Sequence, residues 1–193
     1  MTHLTAFVLA GGKSTRMGRD KAFLPWQGGT LLSHALQLAA SVTPNLRIVG
    51  DLEKFSNFGA VIEDIYAERG PLGGIHAALS SSTSDLNLML AVDLPFIEPR
   101  FLHFLAGLAQ AANAIVTLPR ASGQFQPLCA VYQREFLQAA DLALQAGENK
   151  IGALFSRLNT RVIEEAEFTR AGFSPDMFRN LNTPEEWNQA QAG

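Results

Sequence analysis

The chain has 193 residues, of which 47% are hydrophobic and 17% are charged, and its formal net charge is −3. This composition is that of a folded globular protein and excludes an intrinsically disordered chain, while the negative charge excludes a general attraction to nucleic acid or to acidic membranes. The single cysteine, Cys129, excludes an internal disulfide framework and a cysteine-based zinc site, and the length predicts one domain over residues 1–193.

Apolar runs of strand length alternate along the chain with segments of helical periodicity. The predicted strands comprise residues 5–9, 46–49, 60–62, 86–92, 114–118 and 128–132. The predicted helices comprise residues 31–40 with Thr30 as N-cap, 72–81, 99–112, 135–145 and 151–158, and a last helix begins at Thr183 and Pro184. This alternation predicts a three-layer α/β fold, in which helices cover both faces of a mostly parallel central sheet.

A glycine-rich basic loop follows the first predicted strand. Residues 13–21 contain four bases and one acid, although the chain as a whole is negatively charged. Gly11, Gly12 and Gly18 allow backbone amides to come close to an anion, and the bases can neutralise phosphate oxygens. The loop therefore predicts a site for a polyphosphate, and a solvated basic loop whose glycines serve only for turning is the alternative.

Two common phosphate-binding loops do not match this segment. Gly12, Lys13 and Ser14 imitate the end of a Walker A motif, but Phe7 stands where that motif needs its first glycine. The dinucleotide fingerprint needs two glycines separated by one residue and a short turn into a helix, whereas here the glycines are adjacent and the loop is long. A different class of phosphate-binding protein is indicated.

An acidic residue, Asp93, comes directly after the predicted strand 86–92 and is followed by Leu94, Pro95 and Phe96. Open α/β sheets bind their ligands at the carboxyl ends of their strands, and a carboxylate at that edge can hold Mg²⁺. The alternative is an ordinary turn that ends the strand. The four histidines have no metal-ligand spacing, so we assign them no chemistry.

A third segment with chemical potential begins at Asp64, after the predicted strand 60–62, and continues into the glycine-rich residues 70–74. Glycines at this point allow the backbone to approach a ligand closely. The alternative is a loop and helix start whose glycines serve tight packing. Because Asp64 shares the predicted sheet edge with Asp93, we favour a contribution to the same site.

Residues 9–24, which read LAGGKSTRMGRDKAFL, resemble the signature of the molybdenum cofactor guanylyltransferases, MobA-like members of the nucleotidyltransferase superfamily. The resemblance extends to VIED ending at Asp64, GPLGG at 70–74, DLPF at 93–96, QPLCAVY at 126–132 and RNLNTPEEW at 179–187. It thus covers nearly the whole chain. It implies a Rossmann-like nucleotidyltransferase fold with an N-terminal nucleotide-binding half and a C-terminal acceptor-binding half.

The resemblance also implies roles for individual residues. The catalytic residues would be Arg16, Lys21 and Asp93, and Asp93 would bind Mg²⁺. The family commonly has a polar residue, often asparagine, that contacts the base after the second strand, and this chain has Gly50 and Asp51 there. The implied substrate-binding residues are Leu9, Ala10, Gly11, Gly12, Lys13, Lys21, Asp51, Asp64, Gly70, Pro71, Leu72, Asp93, Asn180 and Asn182.

By this resemblance the protein would transfer GMP from GTP to molybdenum-molybdopterin, with Mg²⁺ as cofactor and pyrophosphate as the second product. The alternatives are a cytidylyltransferase or sugar nucleotidyltransferase of the same superfamily, or a non-catalytic GTP-binding adaptor. We expect a cytoplasmic protein, because no signal peptide or membrane-spanning run is evident. Transient contacts with other cofactor-biosynthesis or molybdoenzyme-maturation proteins are expected, and nucleic-acid or membrane partners are not.

Overall fold

A computed structural model describes residues 3–11, 20–66 and 69–181 of the chain. The strands are β1 (Leu4–Leu9), β2 (Pro25–Trp26), β3 (Gly29–Thr30), β4 (Leu46–Val49), β5 (Val61–Ile62), β6 (Leu86–Ala91), β7 (Val116–Ala121), β8 (Gln124–Phe125), β9 (Cys129–Gln133) and β10 (Thr160–Glu164). The helices are α1 (Leu31–Ala40), α2 (Leu52–Phe55), α3 (Gly70–Ser81), α4 (Pro99–Ala111), α5 (Phe136–Gln145), α6 (Gly152–Phe155) and α7 (Glu165–Arg170). Two 3-10 helices cover Lys21–Phe23 and Pro175–Phe178.

The central sheet has the strand order β10-β7-β9-β6-β1-β4-β5, with β8 paired to β7. Strands β5, β4, β1 and β6 are parallel to one another, and β7 and β10 run in the same direction. Strand β9 lies between β6 and β7 and is antiparallel to both. The predicted mostly parallel sheet is confirmed, and its parallel strands end at one common edge.

Helices cover both faces of this sheet and bury a separate apolar cluster on each. Side chains alternate along a strand, so in β1 Ala6 and Val8 join one cluster while Phe7 and Leu9 join the other. The first cluster is completed by α1, α4 and α7, and the second by α3, α5 and α6. Strand β6 is buried along its whole length, which explains its continuous apolar sequence. The predicted three-layer arrangement is confirmed.

Several predicted boundaries need correction. Strand β6 ends at Ala91 and not at Val92, although the Val92 N–H still donates to the Leu9 carbonyl at 3.1 Å. The strand predicted at 114–118 lies at Val116–Ala121, and the helix predicted at 151–158 is shortened to Gly152–Phe155. The helix predicted from Thr183 lies outside the described residues.

Five short elements were not predicted: the β2–β3 hairpin, α2, β8, β10 and α7. The hairpin strands have two residues each, and Gln27 and Gly28 turn the chain with φ of 45° and 81°. Strand β10 is an edge strand that buries only Ile163, so its sequence has no apolar run. Elements this short lack the periodicity on which sequence prediction depends.

Candidate active site at the carboxyl edge of the sheet

The carboxyl ends of four adjacent strands meet at one level of the sheet. Leu9 at the end of β1 pairs with Val49 of β4 on one side and with Ala91 of β6 on the other, and Val49 pairs with Ile62 of β5. The chain leaves these strands toward Gly11, Asp51, Asp64 and Asp93. The structure therefore brings to one edge the residues that the sequence assigned to separate motifs.

The backbones that follow β1 and β4 lie very close together. The Ala10 N–H donates to the Val49 carbonyl at 2.9 Å. A Cβ atom on Gly50 would lie 2.7 Å from the buried ring of Phe55, so a glycine is needed there. A Cβ on Gly11 would meet ordinary contacts at 3.8 Å among the described residues. Gly11 is exposed while Leu9 and Ala10 are buried. The main chain at Gly11 is thus the part of this segment that faces outward.

Lys21 and Asp93, two of the three predicted catalytic residues, lie together. The Lys21 Nζ atom is 3.5 Å from Asp93 Oδ2, and the two side chains are 20% and 26% exposed. Asp20 fixes the start of the 3-10 helix by accepting a hydrogen bond from the Ala22 N–H at 3.1 Å, and its other carboxylate oxygen lies 3.2 Å from Lys54 Nζ. The third catalytic residue, Arg16, lies outside the described residues, as do Gly12 and Lys13.

The turn that carries Asp93 is held by aromatic and histidine side chains. His34 Nε2 lies 2.9 Å from the Pro95 carbonyl, and Trp26 packs edge-on against Phe96 with ring centroids 5.4 Å apart. Burial lowers the pKa of His34 despite this hydrogen bond. A carbonyl oxygen can only accept a hydrogen bond, so Nε2 of His34 is the donor to Pro95. Sequence reasoning assigned His34 no role, because only the folded chain brings it to residue 95.

The C-terminal asparagine segment lies against the same turn. The Arg179 guanidinium stacks over the Phe96 ring, 4.5 Å from its centroid, and Leu181 is buried in the core beside it. Asn180, between these two residues, is exposed. The neighbours of Asn180 thus lie by the Asp93 turn, its contact with substrate remains a prediction, and Asn182 lies outside the described residues.

Asp64 is held against the first turn of α3. Its Oδ1 accepts a hydrogen bond from the Tyr66 N–H at 2.9 Å. A Cβ atom on Gly73 would lie 2.8 Å from Asp64 Oδ2 and 3.0 Å from the Tyr66 carbonyl, so only glycine leaves room for this carboxylate. Desolvation raises the pKa of Asp64, against the opposing effects of the Tyr66 N–H and of His76. The carboxylate is therefore partly withdrawn from water in one fixed position.

The three predicted site residues at the start of α3 differ in conformation and in exposure. Gly70 has a φ of +64°, which favours glycine, and Pro71 is exposed in the first turn. The Leu72 side chain is fully buried in the core, so the predicted substrate contact of this residue would be made by its backbone. No side chain of the described residues caps α3, and such helix N-termini attract anionic groups.

Asp51 has a local structural role that sequence reasoning missed. It is the N-cap of α2, where its Oδ1 accepts a hydrogen bond from the Lys54 N–H at 3.2 Å. Aspartate is a preferred N-cap because it satisfies one of the free amides at a helix start. This role accounts for an aspartate where the resemblance expects a base-contacting residue, and a contact with substrate remains a prediction.

The contrast between Gly73 and Gly107 gives a test of the Asp64 position. We expect Gly73→Ala to destabilise the protein by about 1–3 kcal/mol and to displace Asp64, because the new methyl group has no room. Gly107 lies on the exposed face of α4 with nothing within 4 Å of an added Cβ, so Gly107→Ala should stabilise by about 0.5–1 kcal/mol. Urea unfolding measures both values, and equal stability of the two variants would contradict this account.

The fold and the converging loops define the class of this protein: an α/β protein with a candidate ligand site at the carboxyl edge of a mostly parallel sheet. Among the described residues, no group of three or more histidine, cysteine or acidic side chains is placed to hold a metal ion by itself. No helix of the described segments has the length and apolar character needed to span a membrane.

Comparison with known proteins identifies the family. The profile of the MobA-like NTP transferase domain matches residues 6–162. The chain is 33% identical to the molybdenum cofactor guanylyltransferase of Syntrophotalea carbinolica over 96% of this chain and 89% of that protein. It is 32% identical to the molybdenum cofactor guanylyltransferase of Desulfosudis oleivorans, over 100% of this chain and 96% of that protein. The chain therefore belongs to the MobA-like NTP transferase family and is a nucleotidyltransferase.

A solved structure agrees with this assignment. The crystal structure of molybdopterin-guanine dinucleotide biosynthesis protein A from Archaeoglobus fulgidus superposes with a TM-score of 0.85 at 26% identity, and the match covers 97% of each chain. The expected Rossmann-like nucleotidyltransferase fold and the resemblance inferred from residues 9–24 are both confirmed.

Proposed function

We propose that this protein transfers GMP from GTP to molybdenum-molybdopterin, which yields the molybdopterin guanine dinucleotide cofactor and pyrophosphate. The observation that carries the proposal is the similarity, over nearly the full chain, to relatives named molybdenum cofactor guanylyltransferase. The similar Archaeoglobus fulgidus protein is named for biosynthesis of the same product, molybdopterin-guanine dinucleotide. We further propose that the reaction takes place in the cytoplasm, with transient contacts to other proteins of cofactor biosynthesis or molybdoenzyme maturation.

The proposed reaction is a direct displacement at the α-phosphate of GTP. The terminal phosphate oxygen of the acceptor forms a bond to the α-phosphorus, the bond from that phosphorus to the bridging oxygen breaks, and pyrophosphate leaves with the electron pair. The protein then acts by positioning the two substrates and by offsetting charge on the phosphates. This displacement needs no covalent enzyme intermediate. Cys129 is also not available as a nucleophile, because it is fully buried in β9.

Each predicted residue at the carboxyl edge would contact a different part of the nucleotide in this reaction. The outward-facing main chain at Gly11 would receive the guanine nucleotide, and Asp64 would line its pocket beside the first turn of α3. Lys21 would contact the phosphates, since its ammonium group lies at the edge of the site beside Asp93. Arg16 and Lys13 of the basic loop would add further positive charge there.

The Asp93 carboxylate fits a magnesium ion that the substrate phosphates would also coordinate. Asp93 offers a part-exposed carboxylate at the end of β6, and Mg²⁺ is usually held by one or two carboxylates together with substrate phosphates. When bound, the ion would neutralise charge that develops on the phosphates.

The decisive test is product formation from purified protein, molybdenum-loaded molybdopterin and GTP. We expect the guanine dinucleotide and one pyrophosphate per turnover. Formation of product only from CTP, or only with a sugar phosphate acceptor, would support the other nucleotidyltransferase functions instead. Binding of GTP without any turnover would support a non-catalytic adaptor.

Lys21 offers a test of phosphate binding. We expect Lys21→Ala to lower kcat/KM for GTP. The ratio to wild type should correspond to a loss of about 1.5–3 kcal/mol in binding free energy of the transition state, the usual scale for losing a hydrogen bond to a charged partner. Lys54→Ala is the matched control, because Lys54 also pairs with a carboxylate, Asp20, but its side chain is 52% exposed. Pyrophosphate release at limiting GTP gives the ratio, and equal values for the two variants would count against a phosphate contact by Lys21.

A further inference from the structure

Tyr66 connects the segment that carries Asp64 to two helices. Its hydroxyl donates a hydrogen bond to Oδ1 of Asp141 on α5 at 3.0 Å, and its ring packs edge-on against His76 of α3, with centroids 4.9 Å apart. Its N–H donates to Asp64 Oδ1 at 2.9 Å, and its carbonyl accepts from the Arg69 N–H at 3.3 Å. Both the side chain and the main chain of Tyr66 are therefore fixed.

Asp141 is a well-supported anchor for the Tyr66 hydroxyl. Gln145, one turn along α5, donates to Asp141 Oδ2 at 2.8 Å, and His76 Nε2 lies 3.4 Å from Oδ1. Helix α5 is itself packed into the core through Ala140 and other buried residues. The hydrogen bond to Asp141, with desolvation and the charge of Asp141, raises the pKa of Tyr66. The hydroxyl therefore stays protonated and remains a donor at neutral pH.

We propose that Tyr66 is a positioning residue for the nucleotide subsite, because its bond to Asp141 fixes the Asp64 carboxylate in the narrow space over Gly73. This inference rests on the proposed function, in which Asp64 lines the nucleotide pocket. Without the hydroxyl, Asp64 and Tyr66 have other arrangements available, and nucleotide binding must then order them. Such ordering weakens binding and leaves the chemical step unchanged.

The test compares four variants with the wild type in steady-state kinetics and in equilibrium binding of GTP. Tyr66→Phe keeps the ring and its contact with His76, and we expect it to raise KM and Kd for GTP about two- to tenfold with kcat within about twofold. Asp141→Ala should do the same, and Asp141→Asn, which keeps an acceptor oxygen, should restore values near wild type. Gln138→Ala, at an exposed residue of the same helix, is the control and should leave KM unchanged.

A double variant separates positioning from general loosening. Because Tyr66→Phe and Asp141→Ala remove the same interaction, their combination should raise KM no further than either alone. An unchanged KM in Tyr66→Phe overturns the proposal, and so does an additive double variant or a fall in kcat and melting temperature that parallels the rise in KM. If the wild type neither binds GTP nor releases pyrophosphate, the proposed function itself has failed, which is a different result.

Discussion

The substitution Asp93→Asn is expected to abolish nucleotidyl transfer, with a fall in kcat of at least about 10²–10³-fold, the scale for removing one group that stabilises charge in a transition state. Asparagine keeps the shape of the side chain but offers a neutral amide oxygen, which is a weak magnesium ligand and does not attract the Lys21 ammonium. The variant should still fold, because a part-exposed ion pair stabilises by only about 0–1 kcal/mol.

Strand β6 supplies the control for this prediction. Asp85 is an exposed aspartate that comes just before β6, so it lies at the opposite end of the strand from Asp93. We expect Asp85→Asn to keep wild-type turnover. Pyrophosphate release at saturating GTP measures kcat, magnesium-dependent binding of GTP reports on the site itself, and thermal unfolding checks the fold. Wild-type turnover by Asp93→Asn would exclude Asp93 from catalysis.

The second large effect expected is nucleotide selectivity: kcat/KM for GTP should exceed the values for CTP and ATP by about 10²-fold or more. The main chain at Gly11 faces outward after the end of β1. An amide and a carbonyl there can form hydrogen bonds with the edge of guanine. A site built to hydrogen-bond one base leaves polar groups unpaired when another base binds, and each unpaired group costs about 1–3 kcal/mol.

Gly11→Ala tests this role without disturbing the fold. Among the described residues, an added methyl group would meet the Val49 carbonyl and the Gly50 Cα at 3.8 Å, which are ordinary contacts. We expect the variant to lose kcat/KM for GTP while its melting temperature stays near that of wild type. Gly107→Ala serves as the control for a glycine far from the site. Equal use of CTP and GTP by the wild type is the outcome that contradicts the selectivity prediction.

The parts of the fold that depend on local signals were predictable from the sequence. Helix α1 has the predicted bounds, because Thr30 caps it by accepting a hydrogen bond from the Ser33 N–H at 3.1 Å and its apolar residues recur with helical periodicity. The place of Asp93 also followed from sequence, because a buried apolar run ends just before it. Where strands are parallel, such ends meet at one edge, so the general location of the site was accessible as well.

Contacts between distant segments were not predictable in the same way. The sequence contains four bases near the first strand, and nothing in their spacing indicates that the Lys21 ammonium lies 3.5 Å from the Asp93 carboxylate. The contact between Tyr66 and Asp141 joins residues 75 positions apart and exists only because α5 packs beside α3. Asp51 illustrates a further difficulty, since a capping aspartate and a ligand-binding aspartate are identical in sequence.

The position of β1 at the centre of the sheet has a consequence for the order in which the chain can fold. Its partner β4 is complete only at Val49, and its other partner, β6, only at Ala91. During synthesis, both edges of β1 can therefore be paired only after nearly half of the chain has been made. Pairing over such separations is slow because long loops must close first. Until then, its apolar residues belong to an unfinished sheet, so the carboxyl edge that β1 shares with β4 and β6 forms late on the ribosome.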